Sequence, residues 1–292
     1  MTQRKTISFL PLIYKLSDKV IRILGCNPSI MTLQGTNTYL VGTGNRRVLI
    51  DAGDESTSQQ YTDLLRNVLK EEQATIEHLI VTHWHHDHIG GVNAVQQLLG
   101  NNKPATVWKF QRARKDTNIS EFERTVKWKD LKDEQLVEVE GAKLRIKHTP
   151  GHSTDHACVL LEDDNTLFSG DCILGQGTTV FEDLYDYMKT LEKILQLKPK
   201  TIYPGHGPVV STPIEKIRDY IDHRNGRERE ILSVIKEKGP VSEERMVEEI
   251  YKGVAEGLKK ACVSNVLHHL DKLLKEGRIV GKRGEWGYVE PK

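Results

Sequence analysis

Leu79-Ile80-Val81-Thr82-His83-Trp84-His85-His86-Asp87-His88-Ile89-Gly90-Gly91 is the stretch on which the reading of this chain turns. Its apolar start reads as a buried strand, and Val92 to Leu99 beyond it reads as a helix. The polar cluster therefore sits at the C-terminal end of a strand, where open α/β sheets place their ligands. Imidazole suits zinc, and a carboxylate completes a hydrolytic site. His83 and His85, two residues apart on an extended turn, can grip one ion, and Asp87 and His88 can grip a second.

Three more candidate ligands recur downstream in similar settings: His152 in Thr149-Pro150-Gly151-His152, Asp171 in Phe168-Ser169-Gly170-Asp171, and His206 in Tyr203-Pro204-Gly205-His206. Each follows an expected strand and adjoins a glycine, which permits tight turns and close backbone approach. Asp51, at the end of the strand Val48 to Ile50, could orient a ligand histidine or cap the following turn. Asp155 and His156 could supply a proton, support the ligands from behind, or be turn residues with a satisfied imidazole, and Asn37 could contact substrate or serve as a turn amide.

The His-x-His-x-Asp-His run at 83–88, followed in order by His152, Asp171 and His206, resembles the metallo-β-lactamase superfamily. The resemblance implies an αββα sandwich and metal-dependent hydrolysis. It implies two zinc ions per chain: His83, His85 and His152 on one, Asp87, His88 and His206 on the other, and Asp171 as the bridge. Asp87 and Asp171 are then the catalytic carboxylates. Gly25-Cys26-Asn27-Pro28, Gln34 to Leu40, Gly170 to Gly175 and Thr178 to Met188 are similar to the β-lactamase-like protein 2 family within it. That similarity implies an endoribonuclease hydrolysing the phosphodiester bonds of single-stranded RNA through a metal-bridging hydroxide, located in the mitochondrial matrix. The alternative is a glyoxalase-II-like thioesterase, which uses the same seven ligands. A binding module without catalysis fits the complete ligand set poorly, and a secreted lactamase would need a secretory signal.

Composition narrows this little. The 292 residues carry 42 basic and 41 acidic side chains, a formal charge of +1, so global charge neither requires nor excludes a nucleic acid. No run of 18 apolar residues is present, and no stable membrane association is expected. Four scattered cysteines without a C-x-x-C fit a reducing compartment. Cys172, beside Asp171, reads either as a neighbour of the metals or as a small core residue. Residues 1–17 carry Arg4, Lys5 and Lys15 and no acid, and read as an N-terminal extension. They suit a mitochondrial transit peptide or a plain terminus, the latter leaving a cytoplasmic location open.

The hydrolase domain is expected over 18–225, its helix from Pro213 ending near Arg224. Residues 109–132 hold eight basic and four acidic side chains, with Phe110, Phe122 and Trp128 between them. Such a segment suits single-stranded nucleic acid, or is a solvated insert anchored by its aromatics. From 226 to 292, three helical segments and a short hairpin around Lys282-Arg283-Gly284-Glu285 look like a winged helix. Its 14 basic and 12 acidic residues leave protein contact, a substrate rim and nucleic-acid binding all open.

Overall fold

The computed structural model describes residues 8–100, 103–112 and 126–290. Two sheets lie face to face. The first runs β1 (Ile13–Ser17), β2 (Val20–Leu24), β3 (Asn37–Val41), β4 (Arg46–Ile50), β5 (Thr75–Ile80), β6 (Thr106–Lys109) and β7 (Lys129–Asp130), in that spatial order. The second places β12 (Thr201–Pro204), β11 (Thr166–Gly170), β10 (Ala157–Leu161), β9 (Ala142–His148) and β8 (Leu136–Val139) side by side. Val41, Val48, Ile50 and Ile80 from one sheet meet Leu144, Ile146, Val159 and Phe168 from the other in the central core.

Helices cover the outer faces. α1 (Ser58–Glu71) and α3 (Val92–Leu99) seal the first sheet with Tyr61, Leu65, Val92 and Val95. α4 (Leu184–Leu197) and α5 (Pro213–Lys238) seal the second with Tyr187, Leu191, Ile194 and Ile217. Short α2 (His86–Ile89) lies within the histidine cluster itself. The expected αββα layering is present.

Two elements depart from the sequence reading. Ile13–Ser17, assigned to the extension, pairs antiparallel with β2 as an edge strand. Its polar and exposed residues hide it from periodicity: Ile13 and Tyr14 face solvent. The helix from Pro213 does not stop near Arg224 but continues through Asn225-Gly226 to Lys238. Tertiary packing overrides the local breaker, because Ile231, Leu232 and Ile235 on its distal half insert into the C-terminal core.

That core joins α5 to α6 (Glu243–Ile250), α7 (Lys259–Lys275) and the hairpin β13 (Ile279–Lys282) and β14 (Glu285–Tyr288). Ser242 caps α6, its hydroxyl accepting from the Arg245 N–H at 3.3 Å. Buried Glu243 ties down the hairpin by accepting from Trp286 Nε1 at 3.0 Å and from Gly284 N at 2.9 Å.

Gly226 offers a direct test of continuity. A Cβ there would meet only Arg229 Nη2, at 3.8 Å, so alanine fits. Gly226→Ala is expected to stabilise the protein by about 1 kcal/mol, the helix-propensity difference. Urea unfolding reads it; an unchanged midpoint would mean this turn is not helical in solution.

Candidate metal centre

The topology delivers the cluster to one sheet edge. Asp51 follows β4, His83 follows β5, His152 follows β9, Asp171 follows β11 and His206 follows β12. The parallel register pairing Ile50 with Ile80 sets Asp51 beside Thr82. At the turn carrying His206, Gly205 is needed for closeness, because a Cβ would stand 2.4 Å from Asp171 Oδ1.

The seven ligand candidates form two groups that could each hold an ion: His83, His85, His152 and Asp171, and then Asp87, His88 and His206. Within each group the ligand atoms lie within 4.8 Å of one another. In the first, His83 Nε2 is 2.8 Å from His85 Nδ1, and His152 Nε2 is 3.2 and 3.0 Å from those two atoms. In the second, Asp87 Oδ2 is 3.1 Å from His206 Nε2 and 3.3 Å from His88 Nε2. Asp171 joins the groups: Oδ1 is 3.3 Å from both His88 Nε2 and His206 Nε2, and Oδ2 is 3.8 Å from His152 Nε2.

Hydrogen bonds behind the rings fix which nitrogen points inward. Asp51 Oδ2 accepts from Thr82 Oγ1 at 2.9 Å, leaving the Thr82 oxygen to accept from His83 Nδ1 at 3.0 Å. The same Oδ2 lies 2.7 Å from His88 Nδ1. One buried carboxylate thus orients a histidine of each group, and the turn-capping alternative for Asp51 falls away. His152 Nδ1 donates to Val180 O at 2.7 Å. Each of these rings therefore directs its Nε2 to the centre.

The electrostatics agree with a cation site. Burial pushes His83 and His152 below the ordinary histidine range and His85 down to about 3, so all three are neutral. Three lone pairs this close repel unless a cation lies among them. In the second group, burial opposes charge on His88 and His206. Asp87, Asp171 and Asp51 outweigh it at His88, and Asp171 leads at His206, raised to about 9. Burial likewise opposes ionisation of Asp87 and Asp171, but the facing histidines keep both carboxyls ionised. The carboxylates draw positive charge to the place where a divalent ion would sit. Donor types and tautomers fit a two-metal centre.

The remaining sequence candidates are supports. Asn37 is buried and spends both amide hydrogens on Pro204 O and Gly207 O, each at 2.9 Å, so it braces the His206 turn and does not face substrate. His156 is fully buried, donates from Nδ1 to Thr149 Oγ1 at 2.8 Å, and accepts the Asp171 N–H on Nε2 at 3.1 Å. Asp155 is also fully buried, bonded to Ser153 Oγ at 2.7 Å and paired with Lys109 Nζ at 2.6 Å. A proton-donor role for either is not compatible with that burial. Cys172 is a core residue among Ile173, Phe181 and Tyr187, and burial pushes its thiol up. All four cysteines are free thiols.

Sequence reasoning missed the hydroxyl residues. Thr36 Oγ1 donates to Asp87 Oδ2 at 2.9 Å, Thr82 links Asp51 to His83, and Thr179 Oγ1 lies 3.2 Å from His152 Nδ1. Only Thr82, next to His83, carried a positional signal. Of the basic insert, residues 113–125, with Arg114, Lys115 and Phe122, lie outside the described residues. Phe110 and Trp128 pack against the two cores, which fits the anchored-insert reading.

A cleft of about 170 Å³ opens onto His152, Asp171 and His206 between Ile30, Met31 and Leu33 on one side and residues 174–180 on the other. Ile30 and Met31 are 94% and 67% exposed, forming an apolar lip. Trp84, between two ligand histidines, packs edge-on to His85 at 4.6 Å and carries the Arg112 guanidinium 4.0 Å over its ring.

Comparison with known proteins agrees with this geometry. Residues 31–206 match the Metallo-beta-lactamase superfamily, and residues 242–286 match the Beta-lactamase associated winged helix domain. The chain is 50% identical over 275 residues to a Beta-lactamase-like protein 2 homolog of Drosophila melanogaster, covering 94% of each. It is 40% identical to the Atrochrysone carboxyl ACP thioesterase of Aspergillus fumigatus, over 79% of this chain and 69% of that one. A beta-lactamase domain protein from Burkholderia ambifaria shares the fold at a TM-score of 0.80 and 18% identity, covering 97% of this chain and 96% of that one. Sandwich, winged helix and relatives together make the chain a member of the metallo-β-lactamase superfamily, in its β-lactamase-like protein 2 family.

Proposed function

We propose that this superfamily hydrolase is a zinc-dependent endoribonuclease of single-stranded RNA. Trp84 carries the reading: an aromatic face with a guanidinium stacked on it, set between two metal-ligand candidates. Aromatic rings bearing arginine are what unpaired bases and their phosphates use, and stacking is worth about 1–3 kcal/mol per base. His83, His85, His152 and Asp171 hold one ion and Asp87, His88 and His206 the other. When bound, such ions activate water and neutralise charge on the scissile group. Asp51 and Thr82 keep the histidine tautomers correct, Thr36 holds Asp87 in place, and His156 secures the Asp171 backbone. A mitochondrial location is part of this proposal; the strand at 13–17 confines any removable leader to residues before it.

A glyoxalase-II-like thioesterase is the second reading, favoured by the apolar lip of Ile30 and Met31, which suits an acyl chain, and by the name of the fungal relative. One panel separates the two: single-stranded RNA, duplex RNA, DNA and a thioester, each with and without chelator. Single-stranded RNA should be cut at least about tenfold faster than duplex, whose paired bases cannot splay onto Trp84. Trp84→Ala should cost about tenfold in kcat/KM on RNA. Faster thioester than RNA hydrolysis at matched concentration would replace the first reading with the second.

A further inference from the structure

The cleft wall at residues 174–183 is supported from behind by the C-terminal part of the chain. Arg224 on α5 is 6% exposed, and its Nη2 donates to Thr179 O at 3.0 Å. Its guanidinium lies 4.7 Å from the centre of the Phe181 ring. From α7, His268 meets the same ring edge-on at 5.3 Å, and Lys275 pairs with Asp183. Tyr220, one turn earlier on α5, donates to Gly177 O at 2.8 Å.

The opposite side of this wall touches the metal centre. Val180 O accepts from His152 Nδ1 at 2.7 Å, and Thr179 Oγ1 is 3.2 Å from the same nitrogen. Arg224, Thr179-Val180 and His152 therefore form a continuous chain of contacts ending at the outer nitrogen of a ligand histidine. Burying a guanidinium is costly, and a buried arginine is ordinarily compensated by a carboxylate. Among the described residues no carboxylate pairs with Arg224. Its compensation is the charge-assisted bond to Thr179 O and the face of Phe181, both on the wall.

We propose that Arg224 is a positioning residue for His152: by clamping the 179–181 backbone, the long helix α5 fixes the orientation of one metal ligand. This rests on His152 being a ligand, as in the proposed function, but not on the identity of the substrate. From the winged-helix unit, His268 and Lys275 brace the same wall.

The test measures Zn²⁺ affinity of the full-length protein by chelator competition, with turnover of a short single-stranded RNA alongside. Arg224→Met keeps the length of the side chain and removes its donors. It should weaken Zn²⁺ binding by about 10–100-fold, the usual consequence of losing a ligand's hydrogen-bonded support, and lower kcat with KM little changed. Arg224→Lys, which keeps the charge, should show a smaller loss in the same direction and serves if the methionine variant does not fold. Glu228→Gln is the control. It breaks the buried pairing with Lys272 and Arg278 one turn along α5, lowering stability without touching the wall. Wild-type Zn²⁺ affinity in both Arg224 variants, or an equal loss in Glu228→Gln, would overturn the inference. Failure of the wild type itself to bind Zn²⁺ would overturn the metal reading and this inference with it.

Discussion

Asp171→Asn is expected to lower kcat/KM on the order of 10³-fold, about 4 kcal/mol of transition-state stabilisation. Its carboxylate approaches ligand atoms of both sets, at 3.3 Å to His88 and His206 and 3.8 Å to His152. An amide of the same shape keeps one acceptor and loses the charge that two bound cations would share. His85→Ala and Asp87→Ala also remove turnover, but each strips a ligand from one group alone. Elemental analysis should therefore show metal falling from about two per chain towards none in Asp171→Asn, and to about one in the other two. Full turnover by any of these proteins, verified metal-free, would end the two-metal account.

Lys109→Met should destabilise the fold by about 3–5 kcal/mol, the usual cost of leaving a buried charge without its partner. Lys109 is 1% exposed and Asp155 fully buried, with 2.6 Å between Nζ and Oδ2. Without the ammonium, Asp155 keeps, among the described residues, the Ser153 hydroxyl. Adding Asp155→Asn to Lys109→Met should recover most of the loss, because the remaining side chain is then neutral. Denaturant unfolding at neutral pH measures both. A loss under 1 kcal/mol in the single variant would mean that water reaches Asp155.

The ligand set was legible because histidine and aspartate at strand ends, beside glycines, carry their chemistry in their identity. Strands such as β3 and β10 were legible as short runs bounded by hairpin-turn residues, and helices such as α1 because apolar period matches burial. What escaped depended on partners distant in sequence. Asp51 could be a cap or an orienter until the β4–β5 register placed it between Thr82 and His88. Asn37 resembled a substrate contact because nothing local shows that Pro204 and Gly207 consume its amide. The Lys109–Asp155 pair spans the two sheets, and a lysine at a strand end reads as solvated until its carboxylate is found. Asn225-Gly226 is a legitimate stop signal that loses to the apolar face continuing at Ile231 and Ile235.

That uninterrupted α5 has a mechanical consequence. Its 26 residues span about 39 Å as one rod. The hydrolase layers grip one end and the C-terminal unit the other. A linker would act as a tether, letting the second unit sample many separations; a helix acts as a ruler. A substrate held by the C-terminal unit would then be presented to the cleft at one fixed spacing. On a long substrate, the position of the cut would be measured from that grip.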